Sequence, residues 1–220
     1  MTDNSAFYSD VLYPFQNLVT KVITETDTEF YLTGGTAASR GYLEHRYSDD
    51  LDYFVNDDNR FNLWVERIIQ TLNREWKCDV LQKDERFSRL NLKHKDISLK
   101  IELINDVPSR VGNIKIHPLL GRLDSAENIL ANKVTALLAR EEPKDLADVW
   151  GFCCRMNLSI NGAITNAQSK AAGIFPADLA RVLISTGKAD WEAIRWIQAP
   201  PAETFISQLN MLGESLLLPQ

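Results

Sequence analysis

Two aspartates separated by one residue, Asp50 and Asp52, are the first side chains in this sequence whose spacing suggests chemistry. In an extended chain, residues i and i+2 project from one face, so the two carboxylates converge while Leu51 and Tyr53 turn the other way. Like charges held that close cost free energy until a cation neutralises them. Mg²⁺ takes carboxylate and phosphate oxygens together and suits such a pair. Two solvated aspartates on an edge strand are the plainer alternative. Upstream lies Gly34-Gly35. Two residues without Cβ let a phosphate chain approach the main chain, the start of a helix offers unpaired N–H groups, and Thr36 adds a hydroxyl. Alone, such a glycine pair more often marks a tight turn.

The elements that must position these groups can be read from apolar spacing. Phe7, Val11, Phe15, Leu18 and Val22 recur at helical intervals. Residues 30–33 form a short strand that stops at the glycines, and 36–43 a short helix. Residues 51–55 alternate as a strand, 56–59 form a loop, and 61–76 an amphipathic helix. Strand-like stretches follow at 77–82, 86–93 and 97–104, with a further one at 113–117. The character changes near residue 123. Ser125 is placed to cap a helix, and Ile129, Leu130, Val134, Leu137 and Leu138 follow at helical spacing. Pro143 stands where a second helix begins. Residues 161–218 continue as helices broken by Gly162, Gly173, Pro176, Gly187 and Pro200-Pro201. The expected class is α+β: a mixed β-sheet with flanking helices over residues 1–122, then a helical bundle over 123–220.

Composition narrows the class of partner. The chain has 220 residues, with 24 basic against 30 acidic side chains and a net charge of −6. That balance argues against broad nonspecific binding of nucleic acid, though not against a local basic groove. No apolar run is long enough to span a bilayer. The polar, acidic opening of the sequence is unlike a secretory or transit signal. Cys78, Cys153 and Cys154 show neither disulfide nor zinc spacing, so a reducing, cytoplasmic compartment is the expectation. His94 and His117 lack metal-like spacing. The five tryptophans read as core, and the basic stretch 83–100 as a solvated hairpin.

Taken together, a strand, Gly-Gly, a short helix and Asp-Leu-Asp on the next strand resemble the nucleotidyltransferase superfamily related to DNA polymerase β. The string GGTA…HRxSxDLDxF is closer still to AbiEii/AbiGii-type nucleotidyltransferases, the toxins of type IV toxin–antitoxin and phage-abortive systems. It is carried by Gly34, Gly35, Thr36, Ala37, His45, Arg46, Ser48, Asp50, Leu51, Asp52 and Phe54. The spacer between the glycines and Asp50 is about one residue longer than the family pattern. A second block resembles K-x-x-A-x-x-x-R followed by (R/K)-D-x-x-D, carried by Lys133, Ala136, Arg140, Lys144, Asp145 and Asp148. Lys133 and Arg140 are two helical turns apart and share a face. The plainer reading of this block is a salt-bridged surface with Lys144 and Asp148 as i, i+4 partners.

The resemblance implies a Mg²⁺-dependent transfer of a nucleoside monophosphate (NMP) from an NTP to an acceptor hydroxyl on RNA, such as tRNA, or on a protein. Superfamily members commonly place a third acid on a later strand, and Glu102, in the alternating stretch 99–104, is the candidate. Its plainer role is a charge that guards an edge strand. Asp50, Asp52 and Glu102 would hold one or two Mg²⁺ ions, with Glu102 or Asp145 taking the proton. Gly34, Gly35, Thr36 and Ser48 would cradle the triphosphate, and Arg46, Lys133 and Arg140 would neutralise it. The helical bundle would complete the cleft, and a neighbouring gene would encode an antitoxin. A transferase acting on a small molecule of aminoglycoside type, or a non-catalytic nucleotide-binding domain, are the rival readings.

Overall fold

The computed structural model describes residues 5–218. Residues 1–4 and 219–220, at the two ends of the expected domains, lie outside the described residues. The chain forms two compact units. The first runs to Ala37 and then takes Ser48–Pro108 and Asn113–Asp124. The second takes Ala38–Tyr47, Ser109–Gly112 and everything from Ser125. Where the sequence suggests one boundary between 122 and 123, the chain therefore leaves the first unit between the glycine pair and the aspartates, and returns before them.

The first unit comprises α1 (Ser5–Phe7), a π-helical turn Tyr8–Leu12, α2 (Tyr13–Glu25), β1 (Tyr31–Thr33), the start of α3 (Gly34–Ala38), β2 (Leu51–Asn56), α4 (Phe61–Glu75), β3 (Lys77–Lys83), β4 (Phe87–His94), β5 (Ile97–Asp106), β6 (Lys115–His117) and β7 (Gly121–Leu123). Its seven strands form one sheet in the order β3-β4-β5-β2-β1-β7-β6. The sheet is mixed: β2 runs parallel to β5 and β1 parallel to β7, while the other neighbours are antiparallel. Alternation makes the central strands one-sided. Leu51, Tyr53 and Val55 of β2, and Leu99, Ile101 and Leu103 of β5, are buried. Phe61, Trp64, Val65, Ile68 and Leu72 give α4 an apolar stripe, and all five are buried. Each such side chain contributes about 1.5–3 kcal/mol by leaving water. The three-residue strand β7 was not legible from alternation, because it is too short to show any.

The second unit contains a π-helical turn Ser39–Leu43, α5 (Ala126–Arg140), α6 (Pro143–Trp150), a π-helical turn Gly151–Arg155, α7 (Ile160–Gln168), α8 (Pro176–Ile184), α9 (Lys188–Ala193) and α10 (Ala202–Ser215). Ser125 caps α5 as expected, its Oγ accepting from Asn128 N at 3.2 Å, and Pro143 sits in the first turn of α6. Ile129, Val134, Leu137, Val149, Phe152, Leu179, Leu183 and Phe205 are fully buried. Edge-to-face contacts join Trp150, Trp196 and Phe205 at 5.4–5.9 Å between ring centres. The turn Ser39–Leu43 falls in the long spacer, and an i→i+5 turn takes up one residue more than an α-turn.

No helix among the described residues is long and apolar enough to cross a membrane. The three cysteines are free thiols. Burial pushes Cys78 and Cys154 up to about 11 and Cys153 to about 12, so all three stay protonated and unreactive near neutrality.

Candidate active site

The first unit gathers the glycine pair and three acids on one face of its sheet. Along residues 31–39 only Gly34 and Gly35 are open to solvent, the rest being buried. Gly34 has φ +66, a left-handed conformation natural to glycine. A Cβ there would lie 2.2 Å from Asp52 Oδ2, so the Asp52 carboxylate rests directly against the glycine main chain. Parallel pairing sets Asp52 opposite Glu102, which makes Glu102 the acid delivered by the neighbouring strand. Asp50, just before β2, reaches the same cluster through Lys100. The Lys100 ammonium stands 2.8 Å from Asp50 Oδ2 and 3.4 Å from Glu102 Oε1.

Two cations sequence reasoning did not assign to the site complete it. Arg89 is in register with Glu102 across β4 and β5 and donates to its Oε1 at 2.9 Å. Lys100 lies two residues before Glu102, on the same face of β5. Burial pulls the Lys100 ammonium down, but its hydrogen bond to Asp50 and the charges of Asp50, Glu102 and Asp52 outweigh this and raise it. Arg86 and Lys93 of the same hairpin pair with Asp57 and Asp79, so most of its basic charge is matched locally.

The approach to Asp50 is held from behind. Thr36 Oγ1 donates to the Asp50 carbonyl at 2.5 Å and lies 2.9 Å from Ser48 Oγ. Gln16 Nε2 donates to the Asp49 carbonyl at 2.9 Å, and Tyr8 OH to the Asp49 carboxylate at 2.7 Å. Thr36 and Ser48 are themselves buried. Their hydroxyls brace the loop beneath the site. Gln16 and Tyr8 carry no motif signal; only their place on the apolar face of a helix, where a polar side chain needs a partner, could have drawn notice.

Among the described residues, no three His, Cys, Asp or Glu side chains lie together as a ready-made metal-binding group. The acids are spaced around Lys100 instead. The donor set still fits Mg²⁺, being made wholly of carboxylate oxygens. That ion habitually completes its shell with water and substrate phosphates around one or two carboxylates.

The helical unit holds a different constellation. Asp148 is fully buried and takes bonds from His45 Nε2 at 2.9 Å, Arg46 Nε at 2.8 Å and Arg46 Nη2 at 2.7 Å. Lys133 Nζ bridges Asp148 Oδ2 and Asp145 Oδ1, each at 2.7 Å. Arg140 completes the set with Nε at 2.8 Å and Nη2 at 2.7 Å from Asp145 Oδ2. Although burial opposes its charge, the fields of Arg46 and Lys133 and the bonds from His45 and Arg46 hold Asp148 well below the usual carboxylate range. Lys133 is likewise raised against burial by Asp148 and Asp145. Desolvation lowers His45, so the imidazole is neutral, and its Nδ1 is buried with no hydrogen-bond partner. The surface pair of Lys144 and Asp148, the plainer alternative for this block, does not form; Lys144 reaches Glu142 at 2.8 Å.

The sequence blocks thus resolve into two ionic clusters, with Asp50, Asp52, Glu102, Gly34, Gly35, Thr36 and Ser48 in one unit and Arg46, Lys133, Arg140 and Asp145 in the other. The family profile described as nucleotidyl transferase AbiEii toxin, type IV TA system, matches residues 18–187 and spans both. The chain belongs to the AbiEii family. It is therefore a nucleotidyltransferase of a toxin–antitoxin family. Two solved structures share the fold of this AbiEii chain. JHP933 from Helicobacter pylori aligns with TM-score 0.65 at 18% identity, covering 94% of this chain and 92% of the other. A second H. pylori protein, solved as a candidate nucleotidyltransferase, aligns with TM-score 0.63 at 16% identity, covering 94% and 95%. No curated protein matches the chain.

Proposed function

We propose that the chain moves an NMP from an NTP to an acceptor hydroxyl, on an RNA such as tRNA or on a protein, with Mg²⁺ as cofactor, and that this arrests translation until an antitoxin counters it. The observation that carries the reading is the contact of the Asp52 carboxylate with the Gly34 main chain, in register with Glu102. Acidic side chains and a partly exposed glycine pair lie side by side there.

Asp50, Asp52 and Glu102 are the residues that would hold one or two Mg²⁺ ions. Bound there, the metal supplies charge neutralisation at the α-phosphoryl group and the departing pyrophosphate. The residues' own work is positioning. Gly34 and Gly35 admit the polyphosphate to the main chain. Thr36, Ser48 and Gln16 fix the loop that presents Asp50. Arg89 orients Glu102, which would ligate metal or accept the acceptor hydroxyl's proton; Asp145, the alternative base, is buried and bonded to Lys133 and Arg140. Of the three cations expected at the triphosphate, Arg46 and Lys133 are buried against carboxylates. Arg140, with 46% of its side chain exposed, is paired with Asp145.

The test is transfer of label from each α-³²P NTP, with Mg²⁺, into total tRNA, into protein and into an aminoglycoside panel. Label in RNA or protein that disappears with Asp52→Asn supports the reading. Label only in small molecules, or none with any nucleotide, overturns it.

A further inference from the structure

Lys100 is the side chain at this site that the proposed chemistry does not need and the geometry singles out. It sits between two of the three acids, 2.8 Å from Asp50 and 3.4 Å from Glu102, where a cation belongs. The other basic residue, Arg89, meets Glu102 from the neighbouring strand in register, with a planar head fixed by that pairing. Lys100 differs in kind. Its head is a point charge on a flexible four-carbon stem, and its side chain is 38% exposed, so it can swing out without unfolding anything. Glu102, 16% exposed, stays braced by Arg89 when Lys100 leaves.

Resting on the metal-dependent reading above, we propose that Lys100 is a resident counter-cation that the divalent ion must displace. With Lys100 in place, the like-charge repulsion of the acids is already relieved, so an incoming ion gains only the difference between its own attraction and the ammonium's. The site therefore binds free divalent metal weakly and fills when a nucleotide brings the ion with it. The displaced ammonium is left beside the incoming polyphosphate, to which it is attracted. Lys100 is thus a positioning residue that couples metal entry to nucleotide entry.

The test uses Mn²⁺ alone, titrated into the full chain and followed by the EPR signal of the free ion, with folding checked by circular dichroism melts. Lys100→Met is expected to bind Mn²⁺ about tenfold more tightly than wild type, because one nearby positive charge is gone. Lys100→Arg, which keeps the charge, is expected to stay within about threefold of wild type. Lys100→Gln runs in parallel in case the Met variant fails to fold. Asp50→Asn separates the two readings. If Asp50→Asn weakens Mn²⁺ binding while Lys100→Met and Lys100→Gln leave it unchanged or weaken it, the counter-cation inference fails and the metal site stands. If no protein binds Mn²⁺ even with an NTP present, or binding ignores Asp50→Asn, the metal reading falls and the inference with it.

Discussion

Two clusters built from the same residue types behave differently in this molecule. In the sheet unit, Asp50, Asp52 and Glu102 face Lys100 and Arg89, and their side chains keep contact with solvent. In the helical unit, Asp145 and Asp148 face Arg46, Lys133 and Arg140, and both carboxylates are at 0% exposure. The first has more acids than cations and lies beside two partly exposed glycines. The second has its acids saturated. A carboxylate in the first cluster can exchange one cation for another with little reorganisation. A carboxylate in the second holds elements together: His45 and Arg46 from the linking segment, Lys133 and Arg140 from α5, and Asp145 and Asp148 from α6. Identity of side chain thus says less about role than access to solvent and the count of partners.

The strongest way to break this comparison is to neutralise one acid in each cluster. Asp52→Asn keeps the shape against Gly34 and removes a charge. Nucleotidyl transfer is expected to fall by about 10²–10³-fold or more, while the melting temperature holds or rises because a like-charge repulsion is relieved. Asp148→Asn is expected to do the reverse in kind. It strands Arg46 and Lys133 without a full counter-charge in a buried place, and chemical denaturation should show a loss of about 3–5 kcal/mol. A stable Asp148→Asn protein, or an Asp52→Asn protein that unfolds, would erase the distinction between the two clusters.

A smaller effect sharpens it. Leu51 lies between the two aspartates in sequence but faces the core at 0% exposure. Leu51→Ala is expected to cost about 2–5 kcal/mol and to lower activity only in proportion to the folded fraction. Specific activity per folded molecule, measured by combining a melt with an initial rate, should match wild type. A drop in that ratio would mean that the position of the acids depends on core packing more tightly than the strand register implies.

How far the sequence disclosed these clusters follows from the physics of each signal. The alternation of β2 and β5 announced both strands, because period-two burial is written directly in residue type. Ser125 and Pro143 marked the starts of α5 and α6 for a similarly local reason. The pairing of β2 with β5, which sets Asp52 opposite Glu102, is a parallel contact between strands some fifty residues apart, and no local pattern encodes it. Lys133, Arg140, Asp145 and Asp148 were legible as a motif, yet their burial was not. Charged residues at helical spacing look the same whether they face water or each other, and the decisive partner of Asp148, Arg46, comes from 102 residues upstream. Likewise, nothing local showed that residues 38–47, which separate the glycines from the aspartates, fold with the helices rather than with the sheet.

The finest probe of the buried cluster is its one neutral member. His45 is surrounded by Asp148, Arg46, Arg155 and the ring of Trp196, and burial lowers its pKa despite the bond to Asp148. In the unfolded chain the imidazole titrates near its ordinary value of 6.5. Between that value and the lower folded one, the unfolded state binds more protons than the native state, so stability rises with pH and falls on acidification. A single group contributes at most about 1.4 kcal/mol per pH unit in that window. Denaturation of the wild type at pH 7.5 and again at pH 5.5 should therefore show a loss of at most about 1.4 kcal/mol attributable to His45. His45→Gln retains a donor for Asp148 without a titrating ring, and it should flatten this part of the profile. Asp148 cannot produce the slope, since it stays ionised in the fold and its unfolded value is 3.8; its contribution is lost only at lower pH. If the slope between pH 5.5 and 7.5 is the same in His45→Gln as in wild type, the imidazole is not held neutral, and the buried cluster is more open to protons than its geometry indicates.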